Sequence, residues 1–88
     1  MASKATPTPE ILDDIGLFDA TLDAAHTLLG RCAAQWRAAT GPDERETWMS
    51  TMRNLRTMTA ALDPTDRVAL RKHLIHWTSQ AAALADDD

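Results

Sequence analysis

Apolar residues recur along this chain in alternating steps of three and four. The first run reads Ile11, Ile15, Phe18, Leu22, Ala25, Leu29, Cys32 and Trp36. The second is Trp48, Met52, Leu55, Thr59 and Leu62, and the third is Leu70, Leu74, Trp77, Ala81 and Leu84. Helices packed along their length need this period, because it keeps one narrow stripe of each helix turned toward its neighbour. The pattern predicts an all-α fold: an antiparallel three-helix bundle with an overlong first helix and coiled-coil-like packing.

Start and stop signals set the boundaries. Thr8-Pro9-Glu10 offers an N-cap, a proline at the first helical position and an acid in the first turn, so helix 1 is predicted over 9–39. Gly41-Pro42 ends it, and Asp43-Glu44 put acids at the positive end of helix 2, predicted over 43–62. Asp63-Pro64-Thr65-Asp66 reads as a capping aspartate, a proline and a second acid at the start of helix 3, predicted over 64–85. Residues 9–85 would then form one helical domain. Residues 1–8, small, polar and proline-containing, read as a disordered tail, and residues 86–88 as an acidic one. Gly16 and Gly30 each weaken helix 1 by about 1 kcal/mol relative to alanine. The seam passes Gly16 without a change of phase, so a continuous helix is expected in preference to one that ends at Ile15 and folds back.

Short linkers make consecutive helices antiparallel neighbours, so residues facing across the first turn have numbers summing to about 84. Trp36 then meets Trp48, Cys32 meets Met52, Leu29 meets Leu55, Ala25 meets Thr59, and Leu22 meets Leu62. Turning again at Asp63-Pro64 sets Leu70 near Leu55, Leu74 near Met52 and Trp77 near Trp48. All three tryptophans would converge as a plug at the Gly41-Pro42 end.

Helix 1 would be roughly 46 Å long against about 30 Å for helix 2. Ile11, Leu12, Ile15, Leu17, Phe18 and Leu22 therefore form an apolar overhang that the hairpin leaves bare, and a partner is expected there. A second copy of the chain is the simplest such partner, giving a homodimer through helix 1. Val68, Ile75 and Ala82 recur every seven residues on the back of helix 3. They read as a second contact surface or, equally well, as part of a broad core face.

Composition narrows the setting. A chain of 88 residues with one cysteine forms a single domain without an internal disulfide. The N-terminus lacks the apolar core of a signal peptide, and no apolar run approaches the roughly 18 residues of a membrane span. A cytoplasmic protein without membrane contact is expected. Alanine- and arginine-rich, lysine-poor usage suggests a GC-rich bacterial genome. The net charge of −4 hides a segregation. Glu10, Asp13, Asp14, Asp19 and Asp23 crowd the first part of the chain, whereas Arg53, Arg56, Arg67, Arg71 and Lys72 lie later.

Candidate chemistry is sparse. His73 and His76 have a spacing that can share a metal, with His26, Cys32 or a carboxylate as third ligand. Cys32 falls on the seam, however, and both histidines flank the core, so neither a metal nor a cofactor is expected. The sequence suggests no nucleophile–base pairing, glycine-rich phosphate loop or paired carboxylates, which argues against an enzyme or a small-molecule site. The reading is a small non-enzymatic protein–protein interaction module, an adaptor, inhibitor or regulatory subunit, with itself or another protein as partner. The alternative is a DNA-binding transcriptional regulator using Arg53, Arg56, Arg67, Arg71 and Lys72 on helices 2 and 3. Net acidity and long helices count against it.

Overall fold

The computed structural model describes residues 13–85 and places three helices there: α1 (Asp14–Ala38), α2 (Pro42–Ala60) and α3 (Arg67–Ala83), with no strand among the described residues. The chain is an all-α bundle of unusual openness. α1 packs along both other helices, while α2 and α3 scarcely meet. The result is a slab of 46 × 32 × 13 Å, with α1 in the middle and the others on its flanks. Its radius of gyration, 14.5 Å, exceeds the roughly 12 Å expected of a compact domain this size.

α1 and α3 start where an aspartate side chain accepts one of the first free N–H groups, whereas α2 starts after Gly41 without a side-chain cap. Asp13 caps α1, its carboxylate accepting the Gly16 N–H at 2.6 Å. α1 therefore starts at Asp14, later than the predicted start at Pro9, and Gly16 sits in its first turn. The Thr8-Pro9-Glu10 start, Ile11, Leu12 and both predicted tails lie outside the described residues. Gly30 is on the outer face, with open space where a Cβ would be. α2 begins at Pro42, with Asp43 and Glu44 in its first turn, as the acids and proline predict. α3 begins later than predicted, because Asp66 is its cap, accepting the Ala69 N–H at 3.1 Å. Asp63 instead folds the linker: one carboxylate oxygen accepts the Thr65 N–H at 2.9 Å and the Thr65 hydroxyl at 2.7 Å.

The α1–α2 register is the expected one. Ala25, Leu29, Leu55 and Thr59 surround one cleft, and Cys32 and Met52 share the core. The α3 register is not. Thr21 on α1 reaches Leu70 on α3 through its hydroxyl, an offset of 49 residues, and Trp77 sits beside Leu28 and Cys32. The expected pairing of Leu70 with Leu55, and so with Leu29, corresponds to an offset of 41, and a difference of eight residues is about 12 Å along a helix. The linker continues past the end of α2 before α3 turns back, so α3 runs alongside the middle of α1, from about Thr21 to Cys32.

That slide changes the core. α1 buries Leu17, Thr21, Ala25, Leu28 and Cys32, whereas Phe18, Leu22, Leu29 and Trp36 are half-buried on its α2 side. A central helix needs two stripes, one for each neighbour. The tryptophans accordingly do not form one plug: Trp77 is buried, while Trp36 and Trp48 pack partly exposed at the core's edge. The Arg45 guanidinium lies 5.6 Å from the Trp36 ring centre.

Candidate functional site

Because α2 and α3 diverge, a groove runs between them with α1 as its floor. Leu28 and Cys32 of α1 form the base, beside Leu55 of α2 and Trp77 of α3. Trp48, Thr51, Asn54 and Met58 make one wall; His76, Gln80, Ala83 and Leu84 make the other. The cavity encloses about 470 Å³. Toward the linker it adjoins a second cleft, lined by Ala61, Asp63, Asp66, Ala69 and His73.

The groove lining contains no Asp, Glu, Lys or Arg. That is informative in a chain whose residues are 25% charged. Neighbouring clefts each carry charge: Arg45 and Glu46 in one, Arg56 in another, Asp23 and Arg31 in a third, Asp63 and Asp66 in a fourth. Met58, 42% exposed, rises from the α2 wall as an apolar ridge. The Thr51 hydroxyl is already engaged, donating to the Thr47 carbonyl at 3.0 Å. An apolar base with uncharged polar edges suits one face of an amphipathic helix.

Two signals in the sequence mark this site. Thr51, Asn54, Met58 and Ala61 on α2, and Ala69, His73, His76, Gln80 and Ala83 on α3, repeat at steps of three and four beside the main seams. They are uncharged but mostly polar or small, so a search for hydrophobic periodicity passes over them.

The structure separates the predicted contact residues. Leu17 is fully buried and cannot be a docking residue. Phe18 and Leu22 are half-buried against the bundle. Ile15 does project, 74% exposed; Ile11 and Leu12 are outside the described residues. Val68, Ile75 and Ala82 are exposed on the outer side of α3, so they do not belong to a broad core face.

The basic residues are divided between two helices that scarcely meet. Arg53 and Arg56 are on α2, Arg67, Arg71 and Lys72 are on α3, and α1 lies between those helices. Arg53 stands 3.7 Å from Glu46. Arg71 is half-buried, with its Nε atom enclosed and without a hydrogen-bond partner.

The remaining titratable groups have structural settings. The His73 ring stacks on Trp77 with centroids 4.7 Å apart and planes 15° from parallel. Among the described residues no three His, Cys, Asp or Glu side chains gather as a metal site. Burial pushes the Cys32 thiol above its ordinary pKa, so it stays neutral in the floor of the groove. Among the described residues no helix is long and apolar enough to cross a membrane.

Comparison of the chain with protein-family models, with curated proteins and with solved structures gives no match.

Proposed function

We propose that this chain is a small protein–protein interaction module, an adaptor, inhibitor or regulatory subunit, that works by binding rather than catalysis. Its contact surface is the groove between α2 and α3, which takes up a partner's helix by one uncharged face. One observation carries the reading: two helices rest on α1 with few contacts to each other, and the main cleft between them is lined without charge. A fully used three-helix core would bring α2 against α3. A cytoplasmic setting goes with the proposal, supported by a lone cysteine held as a buried free thiol.

The test is selection of displayed helical peptides on the immobilised full chain at low density. Enriched peptides should be amphipathic, with one face free of charge. Their binding should be lost with Met58→Glu, which sets a charge beside the groove, and retained with Ile15→Glu at the end of α1. Peptides that bind equally well to the Met58→Glu protein would show that the groove is not the contact surface.

A further inference from the structure

We infer that the outer cleft between α1 and α3 docks an acidic amphipathic helix of a partner protein, with Arg31 and Arg71 as its carboxylate anchors. This cleft shares no lining residue with the groove between α2 and α3, and the inference does not depend on the groove being a contact surface.

Two half-buried arginines are left unsatisfied here. The Nε atoms of Arg31 on α1 and Arg71 on α3 are each enclosed by protein without a hydrogen-bond partner. Asp23 lines the same cleft as Arg31 but forms no ion pair with it, and neither arginine is paired with a carboxylate among the described residues. An enclosed donor without an acceptor is costly, and one in a folded protein calls for a missing partner. A small turn of either side chain sets Nε and one Nη edge-on to a carboxylate, the bidentate geometry in which arginine binds best.

The spacing of the two groups suits a helix. α1 and α3 run parallel, with Thr21 opposite Leu70, so Arg71 is level with residue 22 of α1 and about 13 Å from Arg31 along the axis. Arg71 lies one turn before Leu74 and two before Thr78, which both line the cleft. On a partner helix, acids two or three turns apart on one face are separated by about 10 or 16 Å. Flexible arginine side chains accommodate either spacing.

The surface beside the arginines is apolar. Val68 and Ile75 are 69% and 55% exposed, and Ala82 carries their seven-residue stripe into the cleft. Cations flanking an apolar stripe match a helix with acids beside its apolar face; a phosphate backbone would leave Val68 and Ile75 bare. The chain's net −4 is not the local charge. α3 carries Arg67, Arg71 and Lys72 and no acid. Asp43, Glu44 and Glu46 lie on the opposite flank, beyond α1, where salt screens them.

The experiment is selection of displayed amphipathic helices on the full chain, keeping those that still bind the Met58→Glu protein. The kept peptides should carry two acids seven or eleven residues apart beside an apolar face. Arg31→Gln and Arg71→Gln should each weaken their binding about tenfold or more, and added salt should weaken it too. Asp23→Asn removes the acid of the cleft and should tighten binding, a gain that misfolding cannot mimic. Should a glutamine variant lose helical circular dichroism, Arg→Lys at the same position keeps the stem and the charge but not the fork, and should still weaken binding. Titrated peptide should shift the arginine Nε–H signals in NMR spectra of the wild type. Kept peptides without paired acids, binding indifferent to both arginines, weaker binding by Asp23→Asn, or unmoved Nε–H signals would each overturn the inference. So would a selection that keeps no peptide, or duplex DNA that occupies the two arginines instead.

Discussion

The Thr21 hydroxyl donates to the Leu17 carbonyl one turn back at 2.7 Å and leans on the Leu70 carbonyl of α3 at 3.3 Å. This is the point at which α3 is registered against α1, and Thr21 is fully buried there. A buried hydroxyl without a partner would be costly, and this one is satisfied within its own helix before it reaches across.

Thr21→Val keeps the volume and removes the hydroxyl. Both carbonyls lie within helices and retain backbone partners, so the loss should not exceed about 1 kcal/mol by denaturant unfolding. Thr21→Leu adds atoms to a site with no spare room and should cost about 1–3 kcal/mol. If the valine variant proves the more damaging, the contact with Leu70 matters more than its length suggests.

Leu17 and Ile15 are two residues apart and opposite in fate, one fully buried and the other 74% exposed. Leu17→Ala should destabilise by about 2–5 kcal/mol, the range for a buried leucine truncation. Ile15→Ala should stay within about 0.5 kcal/mol, as surface changes do. Equal effects would mean that Leu17 is not held in the core.

Asp66 and Asp63 both precede α3, and only Asp66 caps it. Asp66→Ala should cost about 1 kcal/mol in thermal or chemical unfolding, the usual value of an N-cap.

The backbone N–H and then the hydroxyl of Thr65 hold the Asp63 carboxyl below its ordinary value of 3.8. A lowered folded pKa means that the stabilising contribution is complete above the unfolded value and is lost as pH falls through the folded one. A carboxyl titration followed by NMR should place Asp63 below 3.8, and Thr65→Ala should move it part of the way back by removing the hydroxyl alone. The acid limb of stability should be shallower in Asp63→Asn. An Asp63 that titrates at 3.8 or above in the wild type would contradict the linker geometry.

Cys32 is 1% exposed and its pKa is raised by burial. Its modification by a thiol reagent at neutral pH should be slow in the folded chain and fast after denaturation. Above the ordinary thiol value of 9.0, the unfolded chain loses its proton first, so stability should fall with rising pH. Cys32→Ala should lack that slope. Fast labelling of the folded protein would mean that the groove floor opens.

The three helices and the pairing of α1 with α2 were legible because both depend on short-range signals. Gly41-Pro42 is a tight turn, so Leu29 can lie only near Leu55 once the helices are antiparallel. The placement of α3 was not legible. The linker from Ala61 to Asp66 carries two aspartates that can each cap a helix, and both readings satisfy the local chemistry. With Asp66 as the cap and Asp63 folded into the turn, α3 stands about two helical turns from the expected register. The groove was half legible: its stripes of Thr, Asn, Met, His and Gln are periodic, but uncharged polar residues do not announce a contact face.

The sequence by itself determined that this chain is helical and where α2 begins, because periodicity and the chemistry at its end act within a few residues. Only the tertiary structure decided which stripe of α1 became core. Neighbouring stripes differ by one residue, about 100° around a helix, and α1 offers apolar residues on both. A central helix with two neighbours uses both stripes, and how far those neighbours stand apart depends on a linker and on packing across the whole slab. That separation left the uncharged gap between α2 and α3 for another chain to fill.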